Sequence, residues 1–353
     1  MSGKNHTVLG MMSGSSLDGI DLALCKFKYN TKWSYEWIQT EVHRFSNEWV
    51  QKLKSLPTAG AEELVRQDIL FGQYLGQVAS AFLSKHNLKA DYIASHGHTI
   101  FHRPEEGFTF QLGNGQVIAQ YSGIQTISNF RAKDISFGGQ GAPLVPIGDL
   151  LLFPEMECCL NLGGIANISI KQGNQITGFD ICPANQLLNY LSQQLGFEYD
   201  NNGATARKGR MIPSLYEALN AQTYYQKPFP KSLSNEEVQS EFIPLMDQFR
   251  ESNEDKLFTV IRHLAHQISR VVRKEAHQKV LVTGGGAHND FLIEMLQEES
   301  PVTWIIPDNR LIDFKESLIF AFMGVLRVEG LNNCLASVTG ARQDSSGGDI
   351  FFP

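Results

Sequence analysis

The chain is short of the features that tie a protein to a membrane, a nucleic acid or an oxidising compartment. Only five of its 353 residues are cysteine, an odd number, and Cys25, Cys158, Cys159, Cys182 and Cys334 lack paired metal-site spacing. They read as small buried hydrophobes, so neither a disulfide nor a zinc site is expected. No apolar run approaches the ~18 residues that span a bilayer, and the N-terminus passes from Lys4 into a strand-like run without a signal-type apolar stretch. A cytoplasmic protein with no membrane partner is the expectation. No segment gathers a stripe of Lys and Arg, and the net charge is -7, which argues against a nucleic-acid partner. An anionic ligand would then depend on locally placed amides or a metal. Low-complexity sequence is absent too.

What is present is an ordinary globular composition, with 42% hydrophobic and 19% charged residues. A chain of this length exceeds the size at which one core keeps growing, so two domains with a cleft between them are expected. Strand-like and helical runs alternate. Leu64, Ile69, Leu70, Leu75, Val78, Phe82 and Leu83 form a helical stripe over 61–86, a strand runs from 92 to 95, and 108–112 and 124–128 are further strands around a helix at 115–122. The loop 129–146 is too rich in glycine for regular structure and is the expected hinge or lid. Beyond it come a hairpin over 158–170, a strand ending at Asp180, and a helix over 183–195. Coil over 224–234, a helix over 255–276, a strand at Val280 and a last helix over 314–327 follow. The second half echoes the first in architecture without repeating its sequence.

The chemistry-bearing features are glycine turns between strand-like runs. Glycine has no Cβ, so backbone amides can turn inward around a phosphate. The first turn, Gly14-Ser15-Ser16-Leu17-Asp18-Gly19, is entered through Val8 and Leu9 and left through Ile20, Leu22 and Leu24, with Asp18 and Asp21 bracketing the exit. A hairpin carrying carboxylates suits a magnesium-bound phosphate. The second is Gly163-Gly164, and the third, Gly284-Gly285-Gly286, follows the apolar Val280-Leu281-Val282. Any one of these can be a plain turn; their joint spacing suggests a nucleotide held between two similar lobes.

Met12 to Asp21, His96-Gly97 with Thr99, Gly138 to Pro146, Asn161 to Ile168, Gly178-Phe179-Asp180, Thr283 to Gly286 and Asp313 to Glu316 together resemble the anhydro-N-acetylmuramic acid kinases, of the actin, hexokinase and chaperone-ATPase superfamily. The resemblance runs nearly end to end. It implies an α/β fold of two ribonuclease-H-like lobes, each a mixed sheet flanked by helices, with a nucleotide cleft between them. The lobes are expected at 1–135 plus 335–353 and at 136–334. It further implies ATP and Mg2+ as cofactors, an amino sugar as substrate, and both hydrolysis of a 1,6-anhydro bridge and phosphorylation of the freed O6. Monomer and homodimer both remain open, as do a kinase for another amino sugar and a nucleotide-switched binding protein.

Read alone, Asp180 is an Asp bonded to the following turn and helix start; on that resemblance it becomes the general base. The nucleotide would meet Gly14, Ser15, Ser16, Leu17, Asp18, Gly19, Ile20 and Asp21, then Gly163, Gly164, Gly284, Gly285 and Gly286. Asp18 and Glu316 would orient the metal, Glu316 being otherwise an acid in the first turn of the last helix. His98, Arg131, Gln140 and Asn185 are assigned to the sugar or phosphate, with loop-stabilising hydrogen bonds as the alternative. His98 and His102 have ligand spacing only on a helix, and their neighbours suggest an extended run instead. After Asp180 the chain reads Ile181-Cys182-Pro183-Ala184-Asn185 where the family pattern has Thr-Gly-Pro-Gly-Asn, which leaves the sugar preference in doubt. His98, Asn129 and Leu233-Ser234-Asn235 are lesser departures.

Overall fold

The computed structural model describes residues 4–14, 17–173, 175–228, 231–274 and 279–353. They fall into two compact units, Met1–Pro154 with Phe314–Pro353, and Glu155–Asp313.

In the first unit β1 (Asn5–Ser13), β2 (Gly19–Tyr29) and β3 (Trp33–Arg44) form an antiparallel meander. Strands β4 (Tyr92–Arg103) and β6 (Thr126–Ser128) extend the sheet in parallel beyond β1, and β5 (Phe108–Leu112) pairs with β4. In the second unit β7 (Cys158–Leu162), β8 (Ile165–Gln172) and β9 (Gln175–Pro183) repeat the meander, and β10 (Lys279–Thr283) and β11 (Thr303–Ile305) continue in parallel beyond β7. The C-terminal β12 (Asp349–Phe351) closes the first sheet against β6. Strand orders are therefore β12-β6-β4-β1-β2-β3 and β11-β10-β7-β8-β9. The echo read from sequence is a shared strand plan, and the first two glycine turns occupy the same β1–β2 and β7–β8 corners of it.

Amphipathic helices cover the sheets, and the central strands β1, β2 and β7 are buried on both faces. On the helix Asn253–Lys274, Leu257, Val260, Ile261, Leu264, Ala265, Ile268 and Val272 are buried at helical spacing, which removes them from water at about 25 cal/mol per Å2 of apolar area. The helix Ala61–Lys85 covers the first sheet with Phe71, Leu75, Val78 and Phe82. Ile69 and Leu70, expected in its stripe, are exposed instead; the true stripe is shifted onto Phe71, and the apolar run 69–71 hid the shift.

The unit boundaries lie at 154/155 and 313/314, against the expected 135/136 and 334/335. Segment 136–154 is tied to the first unit: Gln140 N donates to Thr339 O at 2.8 Å, Phe137 O accepts from Arg342 N at 3.1 Å, and Asp149 pairs with Lys315 at 2.7 Å. The last helix is Asn309–Val328, five residues longer at its start than expected. Asp308 Oδ1 caps it by accepting from Leu311 N at 2.9 Å. Glu316 accordingly lies in the second turn rather than the first, and the helix-terminus reading of it lapses. The helix expected over 183–195 is Asn185–Gln194, with Pro183 ending β9. The strand does not stop at Asp180. The short helix Thr223–Gln226 overlaps the start of the expected coil over 224–234, and Ala276, at the expected end of its helix, lies outside the described residues, as do Ser15 and Ser16.

Candidate active site

In the second unit two glycine turns sit side by side, because β7 and β10 are parallel neighbours. Asn185 joins them to the helix it starts: its Nδ2 donates to Leu162 O at 3.0 Å and its N–H donates to Gly163 O at 3.1 Å. Ala184 N and Gln186 N both donate to Gly164 O, at 2.8 and 3.2 Å. The carbonyls of the Gly163-Gly164 turn are thereby directed at the helix start, and neither glycine N–H donates to an acceptor among the described residues. This is the polarity an anion cradle needs. It also answers what the altered 181–184 sequence does locally, since the amides of Ala184 and Asn185 are committed within the protein.

Gly284 has φ +81 and ψ 160, and a Cβ there would strike Asn161 Oδ1 and lie 3.0 Å from the Leu162 backbone N. That region of backbone space is almost reserved for glycine. Gly284→Ala should therefore cost about 1–3 kcal/mol, seen as a lower urea midpoint at unchanged slope. A midpoint equal to wild type would contradict the close approach.

Asp180 lies on β9 at a bulge, where Asn167 pairs with Asp180 and Ala166 with Cys182, leaving Ile181 as the extra residue. Bulges re-aim side chains. Asp180 Oδ2 accepts from Leu233 N at 2.9 Å, and Oδ1 has no hydrogen-bond partner among the described residues. Burial pushes this carboxyl up to about 6, against the pull of the Leu233 hydrogen bond and with help from the Glu237 charge.

In the first unit Arg131 is braced by three contacts. Nε and Nη2 reach His96 Nε2 at 3.1 and 2.8 Å, and Nη1 donates to Gly141 O at 2.7 Å. A guanidinium only donates, so His96 Nε2 must be unprotonated, and its proton sits on Nδ1 facing Gly97 O at 3.0 Å. Burial and the Arg131 charge keep His96 neutral, well below its ordinary range. Burial also lowers Arg131 to about 10, with Glu316 opposing. His96 was legible only as part of a motif; its role comes from a contact between residues that sequence keeps apart.

His98 is buried, and its Nδ1 meets Ser13 Oγ at 2.9 Å, beside the first glycine turn; burial lowers it to about 4. His102 Nδ1 meets Thr109 Oγ1 at 3.1 Å. Both lie on the extended β4, and no group of three or more His, Cys, Asp or Glu suited to a metal occurs among the described residues. Gln140 is exposed, and its backbone N–H donates to Thr339 O at 2.8 Å.

The turn after β1 keeps Leu17 at φ +59, with Leu17 N on Gly14 O at 3.4 Å. Asp18 is exposed at its exit, Gly19 starts β2, Ile20 is wholly buried and Asp21 pairs with Met12. Ile20 can thus offer a ligand only its backbone. Glu316 is raised by burial, opposed by Arg131 and Lys315. An exposed carboxylate beside a turn suits Mg2+, which keeps most of its waters and takes one or two carboxylates with substrate phosphates.

No helix among the described residues is long and apolar enough to cross a membrane. Comparison with known proteins bears on the whole chain. An anhydro-N-acetylmuramic acid kinase of Aliivibrio fischeri is 34% identical over 97% of this chain and 98% of its own. The one from Shewanella oneidensis is also 34% identical, over 97% and 98%. Among solved structures, the activator of 2-hydroxyisocaproyl-CoA dehydratase from Clostridium difficile aligns over 92% of this chain and 97% of its own at 14% identity and TM-score 0.45. A ROK hexokinase from Thermus thermophilus aligns over 91% and 99% at 12% identity and TM-score 0.39. The sequence model of one family, described as anhydro-N-acetylmuramic acid kinase, matches residues 6–353, and the chain belongs to that family.

Proposed function

We propose that this protein opens the 1,6-anhydro ring of 1,6-anhydro-N-acetylmuramic acid and phosphorylates the freed O6 with ATP, in the cytoplasm, in the recycling of cell-wall sugar. The observation that carries this reading, given the family, is the carboxylate of Asp180. One of its oxygens accepts from Leu233 N, the other meets no donor among the described residues, and burial raises the carboxyl to about 6. A base so poised works close to neutral pH.

Asp180 takes a proton from water as the water oxygen bonds to the anomeric carbon. The bond from that carbon to O6 breaks, and O6 bonds to the γ-phosphorus as the bond from phosphorus to the ADP oxygen breaks. Attack from the face opposite the leaving O6 inverts the anomeric carbon. The N–H groups of Gly163 and Gly164, which meet no acceptor among the described residues, would hold nucleotide phosphate in the second unit with Gly284, Gly285 and Gly286 beside them. In the first, the turn from Gly14 to Asp21 would do so too. Arg131, His98, Gln140 and Asn185 are assigned to orient sugar and phosphate, Arg131 with the donors that His96 and Gly141 leave over. Asp18 and Glu316 would hold Mg2+, which neutralises phosphate charge during transfer.

The test is mass spectrometry of the product made from the anhydro sugar and ATP in oxygen-18 water. Label in the sugar phosphate, at the anomeric hydroxyl, is the expected result. Phosphorylated sugar with its anhydro ring intact would remove the hydrolytic step, and no sugar phosphate from folded, ATP-binding protein would remove the substrate.

The pH profile follows from Asp180. Because its carboxyl is raised to about 6, it is protonated and inactive below that value, so kcat/KM for the sugar should fall about tenfold per pH unit as pH drops beneath 6. A flat profile down to pH 5 would exclude Asp180 as the base.

A further inference from the structure

Strand β9 is the edge of its sheet, and the backbone N–H and C=O of Asp180 are met from outside that sheet. Asp180 N donates to Lys231 O at 2.9 Å. Lys231 Nζ donates to Tyr224 O at 2.9 Å, and Tyr224 OH donates back to Asp180 O at 2.7 Å. Three residues from two segments distant in sequence thus close a ring of hydrogen bonds, each donating to the next. Two residues beyond Lys231, Leu233 N reaches the Asp180 carboxylate. From this ring we infer that Tyr224 and Lys231 are positioning residues for the base, an inference that rests on the function proposed above.

The ladder fails beside Asp180. The bulge at Ile181 interrupts regular β8–β9 pairing next to Asp180, and an edge strand has no partner on its far side. Left to that ladder, the outward-facing N–H and C=O of Asp180 would have no strand to meet at the point where the carboxylate must aim. The ring holds both. It orients Oδ2 on Leu233 and so directs Oδ1 toward the water it deprotonates.

Lys231 is an expensive choice for a mere loop staple. It is 8% exposed, and burial lowers it to about 8. Its ammonium lies 4.0 Å from the centroid of the Tyr224 ring and 5.3 Å from that of Tyr225, contacts that offset part of the desolvation. Tyr224 is 1% exposed, so both side chains are locked by packing.

The test compares Tyr224→Phe with Tyr225→Phe. The first keeps the ring stacked under Lys231 and deletes only the O–H that closes the cycle. The second removes a hydroxyl bonded to His263 Nε2 at 2.7 Å in the same core but outside the cycle. Loss of alignment of this kind costs roughly 10- to 100-fold in rate. Tyr224→Phe should lower kcat by about tenfold or more with KM for sugar and ATP within about twofold, whereas Tyr225→Phe should keep wild-type kcat whatever its melting temperature. Lys231→Met, which keeps the stem and removes the donor, should reproduce the kcat loss. Wild-type kcat in Tyr224→Phe, or equal losses in Tyr224→Phe and Tyr225→Phe, would overturn the positioning role. Failure of the underlying reading looks different: wild-type protein would make no labelled sugar phosphate, or Asp180→Asn would retain full turnover, and either result overturns the positioning role with it.

Discussion

Asp180→Asn is expected to lower turnover of the anhydro sugar by about 10²- to 10⁴-fold, the range a general base contributes, and to do so without loosening the fold. An asparagine oxygen can still accept from Leu233 N, so the geometry of the bulge survives while the basicity goes. Stability should move the other way. The folded-state carboxyl is raised to about 6 from 3.8, so ionised Asp180 weakens the fold above pH 6, and this penalty vanishes below the unfolded value. An uncharged side chain escapes it. At pH 7.5 the variant should melt at or above the wild-type temperature, while at pH 3.5 the two should converge. Collapse of both activity and melting temperature would mean that Asp180 acts through the fold; wild-type turnover would mean that the base lies elsewhere.

Much of this was legible in the sequence because it is local. A glycine cluster between two strand-like runs announces a turn without tertiary information, and the turns after β1, β7 and β10 stand where those clusters put them. The paired meanders follow from the same alternation. Asp180 is a different case. In isolation its sequence context fits an aspartate bonded to a turn, and only the family pattern singles it out. The residues that bond it, Tyr224, Lys231 and Leu233, come from a segment that reads as coil, and they meet Asp180 at the outer edge of β9. No periodicity records such a contact. His96 under Arg131 is hidden in the same way. The start of the last helix was readable in principle, since Asp308 after Pro307 is a capping signal. The charges at Asp313, Lys315 and Glu316 obscured the apolar stripe on which its recognition depends. Lys315 and Asp149 gave no signal at all, because a buried charge looks like an exposed one until its partner is known.

That pair carries the second large effect. Lys315 Nζ and Asp149 Oδ1 are 2.7 Å apart, with side chains 5% and 2% exposed. Asp149 belongs to the short helix Pro146–Leu152 and Lys315 to the helix Asn309–Val328, so the ion pair ties the short helix to the one that carries Glu316. Lys315→Met removes the cation and leaves a carboxylate buried without compensation. Breaking such a pair from one side costs about 3–5 kcal/mol, whereas replacing both members with apolar groups is close to neutral. The single variant should therefore unfold at a much lower urea concentration than wild type, and Asp149→Leu with Lys315→Met should recover most of the loss. Recovery of stability need not bring back activity, because the apolar pair lacks the directionality that sets the rotation of the helix under Glu316. A double variant as stable as wild type but with raised KM for magnesium-ATP would separate those two roles. A single variant within about 1 kcal/mol of wild type would show instead that the pair behaves as a solvated surface bridge, and that Glu316 is held by the packing of Leu318, Ile319 and Phe320 alone.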